Sequence, residues 1–160
     1  MEAIVEIRFD SNFPAEAVFG IIYSAFQEEF GDFEKLPILQ LPDSIRSTDP
    51  NLIYKPHYKL NSENYIVQIG PKVFSIANTK EYVGWKLFSK KIKETFNRLY
   101  ELKIIKEISR FGLRYINVFD KLNIYQNSKL VVALDNQNLS DHEINLTSNM
   151  KTGKFISRLF

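Results

Sequence analysis

The sequence contains no cysteine. This absence excludes disulfide bonds, thiolate zinc sites and cysteine nucleophiles. Only two histidines occur, His57 and His142, and neither has the spacing of a metal ligand pair. The chain also has no glycine-rich phosphate loop, no nucleophile elbow and no helical His-Glu-x-x-His motif. The sequence therefore predicts no metal, no cofactor and no catalytic residue.

Long apolar runs and a strong net charge are also missing. No segment approaches the length of a membrane span, and the N-terminus has acidic residues where a secretory signal has basic ones. The 21 Lys and Arg residues nearly balance the 19 Asp and Glu residues. We therefore expect a cytoplasmic protein without membrane contact, in which any nucleic-acid binding needs a local basic patch.

Aromatic residues are abundant, with 13 Phe and 8 Tyr in 160 residues, and indicate a thick core in a single domain over 1–160. Alternation over 2–9 predicts a strand with one apolar face. Residues 11–30 then have helical spacing, with Ser11 or Asn12 as the N-terminal cap and an end at Gly31.

The middle of the chain predicts a meander of short antiparallel strands. Residues 32–50 have no sustained period and indicate a long surface connection. Three alternating runs follow up to residue 78, and Pro56 places the first of them at a sheet edge. A second helix is predicted from about residue 83 to 103. Its apolar stripe is Trp85, Phe88, Ile92, Phe96, Leu99 and Leu102, and its solvated face is Lys86, Lys90, Lys91, Lys93 and Arg98.

Later segments predict further strands. SRFGLRYINVF (109–119) follows the second helix, KLVVALD (129–135) comes next, and a hairpin surrounds Lys151. The predicted fold is therefore α+β, with an antiparallel sheet in β-α-β-β-β-α-β order and two amphipathic helices packed on one face. The other face is half polar, so we expect another domain, further strands or a second copy to cover it.

Four segments occur in a characteristic order. They are EAIVEIRF (2–9), VQIGP (67–71), YVGWKLF (82–88) and ISRFGLRYIN (108–117). Over about residues 2–120 the chain resembles a sporadically distributed family of uncharacterised prokaryotic proteins with these motifs. The resemblance implies a shared fold rather than a known reaction. Because members of that family are longer, it also implies that the chain is the N-terminal part of a longer protein.

The polar residues of the 109–119 strand are the main candidate site. Alternation places Phe111 towards the helices, and places Ile108, Arg110, Gly112 and Arg114 on the opposite face. Two explanations of the arginines remain open.

The first explanation is bracing of the sheet. Glu6 lies on the mixed face of the first strand, and it can pair with an arginine of the later strand if the two strands are neighbours. The second explanation is a surface that binds an anion or a partner, because guanidinium groups suit phosphate and carboxylate. The residues that would form this surface are Arg8, Arg110, Arg114 and Asn117.

Other basic and aromatic residues indicate nucleic acid only weakly. The lysine face of the second helix, together with Lys80, could contact phosphate, but Glu94 and Glu101 interrupt it. Tyrosines near residues 54–65 could stack bases, although no RNP motif is present. The segment around His142 is polar and is not expected to hold a metal.

These observations favour a non-catalytic recognition or assembly module whose arginine-bearing face meets a protein partner or a second copy. One alternative is a nucleic-acid-binding protein of a defence or mobile-element system. Another is an enzyme acting on an anionic small molecule. A deep pocket in which Arg8, Arg110 and Arg114 converge with an acid would argue against the non-catalytic interpretation.

Overall fold

The structure is a computed structural model that describes residues 2–79, 81–116, 133–135, 137–138, 148–152 and 155–159. The chain divides into two compact units, Met1–Asn117 and Val118–Phe160. The expectation of one domain over 1–160 stays a prediction.

The described residues of the first unit form six strands and three α-helices. Its described strands are β1 (Glu2–Ser11), β2 (Phe33–Lys35), β3 (Tyr58–Asn61), β4 (Tyr65–Gly70), β5 (Val73–Asn78) and β6 (Ile105–Ile116). Its described α-helices are α1 (Ala15–Phe30), α2 (Asp43–Thr48) and α3 (Trp85–Glu101), with a 3₁₀ helix at Pro37–Gln40.

The described strands of this unit form one six-stranded antiparallel sheet in the order β2-β3-β4-β5-β1-β6. The predicted α+β class is confirmed. The predicted element order is wrong in one detail, because β2, the 3₁₀ helix and α2 lie within the segment expected to be a long surface connection. The segment does run over the surface, but it is built of short elements.

One face of the sheet and the two long helices form the core. Alternate residues of β1 are buried, from Ala3 to Phe9, as the sequence predicts. The core side chains from the strands include Ala3, Val5, Ile7, Phe9, Leu60, Val67, Ile69, Phe74 and Ile76. Those from α1 and α3 include Val18, Ile22, Phe26, Phe30, Phe88 and Leu99. Burial of this apolar surface is the main force that stabilises the unit.

Helix α1 ends as predicted but begins differently. Gly31 has a φ of 68°, and its N–H donates to the carbonyl oxygen of Gln27. The predicted cap by Ser11 or Asn12 is wrong, because Pro14 occupies the cap position. The Ser11 hydroxyl instead accepts from the N–H of Phe13, and the Asn12 amide donates to the carbonyl of Lys103.

Helix α3 differs from its predicted stripe at the start. Trp85 is 54% exposed rather than buried, whereas Phe88 and Leu99 are fully buried. The prediction of a wholly solvated lysine face is also wrong, because Lys91 and Arg98 both bind the carboxylate of Glu29 on α1. These ion pairs connect the two helices.

Strand β3 is not at the sheet edge, although Pro56 predicts it there. The short strand β2 pairs with β3 through Phe33–Lys35. Pro56 lies before β3 and therefore removes no hydrogen bond from this pairing.

The second unit contains short strands. Strand β7 (Ala133–Leu134) pairs with β8 (Gln137–Asn138), and β9 (Ser148–Thr152) pairs with β10 (Phe155–Leu159). The predicted hairpin near Lys151 is therefore present. None of the helices in the described parts of the chain is long and apolar enough to cross a membrane.

Candidate functional site

Strands β1 and β6 are neighbours, and their register determines which polar residues meet. In the antiparallel pairing Ile4 lies opposite Arg114, Glu6 opposite Gly112 and Arg8 opposite Arg110. Residues that lie opposite each other project on the same face of a sheet. The three predicted arginines therefore share the face that points away from α1 and α3.

A β-bulge interrupts this pairing next to the arginines. The register shifts between Arg8 and Phe9, so that Phe9 lies opposite Ile108 and Ser109 is the extra residue. Ile108 consequently shares the face of the buried Phe9, and its predicted place beside Arg110 is wrong. Strict alternation cannot reveal a bulge, which changes the face of every residue beyond it.

The opposite side of β6 is less buried than predicted. Phe111 points towards the helices, with its ring 6.5 Å from that of Phe96, but it is 63% exposed. Tyr115 contacts Tyr82 through their hydroxyl groups, and burial together with this contact raises the pKa of Tyr115 to about 12. Phe111 is exposed because β6 is the last of the described strands in its sheet.

Glu6 is the carboxylate between the arginines. Arg8 Nε donates to Glu6 Oε1 at 3.1 Å, and Arg110 Nη1 lies 4.0 Å from the same oxygen. The cross-strand pair of Glu6 with an arginine is thus present. Arg114 has no ion pair among the described residues. Arg8 also lies over the ring of Tyr54, 4.6 Å from its centroid, in a cation–π contact.

The arginines line a cleft of about 460 Å³. We call it the arginine cleft. One side is the β1–β6 face with Glu6, Arg8, Arg110, Gly112 and Arg114, and the other is the segment 50–56, called here the wall segment. The side chains that the cleft brings together therefore include three guanidinium groups, one carboxylate and the Tyr54 ring.

Two features hold the wall segment on the sheet. Gly70 permits a close approach, because a Cβ atom there would lie 2.6 Å from the carbonyl oxygen of Lys55 and 3.2 Å from Cα of Pro56. The buried His57 follows the segment directly and forms the second feature.

His57 is held by one contact of its backbone and one of its imidazole ring. Its backbone N–H donates to Ile69, and its Nδ1 lies 3.2 Å from Nη1 of Arg46 on α2. Arg46 also forms an ion pair with Asp43 and donates to the carbonyl of Leu41. Burial, reinforced by the positive charge of Arg46, lowers the pKa of His57, and Asp43 opposes this shift. The neutral imidazole can accept a hydrogen bond from Arg46, which fixes α2 against the start of β3.

The structure describes only some of the remaining candidate residues. Asn117, Lys80 and His142 lie outside the described residues. Tyr58 stacks on Phe19 and Tyr65 on Phe88, both on the helix side of the sheet, so these tyrosines present no platform for bases. Among the described residues, no cluster of three potential metal-binding side chains occurs.

Sequence reasoning missed the wall segment. The sequence predicts Tyr54 in a strand, on which it could stack bases, whereas Tyr54 and Lys55 lie in the segment before β3 and line the cleft. The prolines at 50 and 56 were the available signal, because they bracket a segment that cannot pair regularly in a sheet.

A scan against protein-family models and a search of curated proteins both found no match to this chain. The resemblance to the prokaryotic family stays a prediction.

Proposed function

We propose that this protein is a recognition module that binds an anionic group of a protein partner in the arginine cleft. The observation that carries this proposal is the convergence of Arg8, Arg110 and Arg114 on one cleft, whose described lining residues include a single carboxylate, Glu6. Bracing alone needs only one arginine for each acid. Arg114 has no ion pair among the described residues, so its positive charge can meet a ligand.

The electrostatics of the cleft suit an anion. Its lining side chains include four cationic groups, since Lys55 joins the three arginines, and one acidic group. Guanidinium groups are weakly hydrated and present paired N–H donors that match carboxylate and phosphate oxygens. The Arg8 guanidinium is already oriented by Glu6 and by the Tyr54 ring, so less rotamer entropy is lost when a ligand binds.

The proposed setting is the cytoplasm of a prokaryotic cell. This rests on the motif resemblance rather than on the cleft. A second copy of the chain is the alternative partner for the arginine cleft. A change in oligomeric state on mutation of the arginines would indicate it.

An enzyme acting on an anionic small molecule is the second candidate. One observation favours it, namely that an acid, Glu6, lies in the same cleft as the arginines. Under this alternative the Glu6 carboxylate, which contacts Arg8 at 3.1 Å, would serve as a general base. Under this alternative, Glu6→Gln abolishes turnover of an anionic substrate, whereas a recognition module has no turnover to lose.

Nucleic-acid binding is less favoured by the arrangement of charge. The basic residues of α3 lie on the helix side of the sheet and the arginine cleft on the other side, so they form no continuous track for a phosphate backbone. In addition, Lys91 and Arg98 are engaged by Glu29.

The proposal is tested by thermal unfolding of the full chain with inorganic phosphate or citrate at constant ionic strength. A ligand that binds the folded state raises its stability in proportion to the logarithm of ligand concentration above Kd. We expect the melting temperature of the wild type to rise with either probe, and the rise to disappear in Arg110→Gln/Arg114→Gln.

The matched control is Lys86→Gln/Lys93→Gln, which removes two charges from the exposed face of α3. It should respond as the wild type does. Equal responses of all three proteins, or no response of the wild type, would remove the proposal.

A further inference from the structure

We propose that the group bound by the arginine cleft is a phosphate monoester, and that the Glu6 carboxylate is a built-in competitor for the same guanidinium groups. This inference rests on the proposed function of the cleft. It adds the chemical class of the ligand and a residue that sets its affinity.

The charge of the cleft selects among anions. Among the described residues that line the cleft, four cationic side chains against one acid leave an excess of three positive charges. A phosphate monoester carries a charge of about −1.5 to −2 at neutral pH. A carboxylate or a phosphodiester carries a single negative charge. The dianion therefore gains more from the excess positive charge than either monoanion does.

The arginine cleft has room for a tetrahedral group next to Gly112. Gly112 lies between Arg110 and Arg114 on β6, and within the described part of the chain a Cβ atom there would meet only Arg110 Nη2, at 4.0 Å. The space above Gly112 is thus open. Each arginine is two residues away along the strand, about 7 Å at Cα, a distance that its long side chain can span. A phosphate over Gly112 can accept from both guanidinium groups.

Glu6 lies next to the proposed phosphate position. It is the cross-strand neighbour of Gly112, and its Oε1 already accepts from Arg8 and lies 4.0 Å from Arg110. An incoming dianion must share these guanidinium groups with the carboxylate and is repelled by it. Removing the charge while keeping the size of the side chain should therefore strengthen binding.

Glu6→Gln distinguishes a carboxylate that competes with the ligand from one that only positions the arginines. If Glu6 competes with the ligand, the variant binds a phosphate monoester about tenfold more tightly. If Glu6 serves only to position the arginines, the variant binds it equally well or more weakly. The measurement is therefore more specific than the loss of binding that most substitutions in a site produce.

The test is isothermal titration calorimetry of the full chain with phenyl phosphate and with phenyl sulfate. The two probes share an aromatic ring and a tetrahedral head group, but the sulfate carries one charge. We expect phenyl phosphate to bind the wild type about tenfold more tightly than phenyl sulfate. We expect Glu6→Gln to bind phenyl phosphate more tightly still, and Arg114→Gln to bind it about tenfold more weakly.

Arg114→Gln should fold as the wild type does, because Arg114 has no ion pair among the described residues. A loss of binding in this variant therefore reports the lost contact with the ligand and not misfolding.

AMP and O-phosphoserine, titrated in the same way, distinguish a nucleotide source of the monoester from a phosphorylated side chain. A single-stranded oligonucleotide without a terminal phosphate represents phosphodiesters, and tighter binding of it than of AMP would overturn the inference.

The possible failures are separable. If neither aromatic anion binds the wild type or Glu6→Gln, the proposed function itself fails. If both anions bind but with equal affinity, or if Glu6→Gln weakens binding, the function stands and this inference is overturned.

Discussion

Arg110 lies directly opposite Arg8 on the neighbouring antiparallel strand. Like charges in this position destabilise a sheet. The carboxylate of Glu6, which contacts Arg8 at 3.1 Å and Arg110 at 4.0 Å, offsets the repulsion. This relationship explains why the strands tolerate the arginines, and it also makes the stability of the sheet depend on one acid.

Glu6→Gln should therefore lower the free energy of unfolding. We expect a loss of about 0.5–1 kcal/mol, because both partners are partly exposed and solvent screens the pairs. Urea denaturation at low salt measures it, and added salt should reduce it. Adding Arg110→Gln to the variant should recover part of the loss, since it removes the opposed charge. Additive effects of the two substitutions would show that the three side chains are not coupled.

Gly70→Ala should destabilise the protein and displace the wall segment. A Cβ atom at this position would lie 2.6 Å from a backbone oxygen, so the main chain must shift, at a cost of about 1–3 kcal/mol. Gly20→Ala is the matched control, because Gly20 lies in α1 with nothing within 4 Å of its added Cβ. It should stabilise the protein by about 0.5–1 kcal/mol. Equal effects of the two substitutions in thermal unfolding would contradict the close approach at Gly70.

The stability should fall as the pH drops below about 6.5, the ordinary pKa of histidine. The pKa of His57 is lowered in the folded protein, so in this range the unfolded chain binds a proton that the folded chain does not. Chemical denaturation between about pH 7.5 and pH 5 measures the decline. His57→Gln should flatten it and leave only the contribution of other groups. Parallel curves for wild type and variant would show that His57 is not the titrating group.

Glu29→Gln should loosen the contact between α1 and α3. The Glu29 carboxylate binds Lys91 and also Arg98, the latter at 3.0 Å. We expect a loss of about 1 kcal/mol, since these groups are only partly buried. Glu28→Gln is the control, because Glu28 is the residue before Glu29 on α1 and is exposed. A loss of the same size in both variants, measured by urea denaturation, would assign the effect to overall charge instead.

Periodicity predicted the parts of the fold that depend on local burial. The alternation of β1, the stripe of α1 and the meander up to residue 78 are present because a residue's face follows from its spacing. The exposure of Trp85 could not be predicted in this way. Helical spacing shows which residues share a stripe, but not how far the sheet extends beneath it.

The candidate site was predictable in part for the same reason. Arg8, Arg110 and Arg114 share a face because strands alternate. However, their convergence depends on the register of β1 with β6, and the bulge at Ser109 sets that register locally. The wall segment depends on a contact between Gly70 and Lys55 across the fold, which no local pattern records.

The central claim is that the arginine cleft binds an anion. The most direct measurement is a series of ¹H–¹⁵N spectra of the full chain during titration with inorganic phosphate. We expect saturable shifts in the backbone amides of Glu6, Arg8, Arg110, Gly112 and Arg114, with those of α3 unchanged. Shifts spread over the lysines of α3, or no saturable shift on β1 and β6, would contradict it.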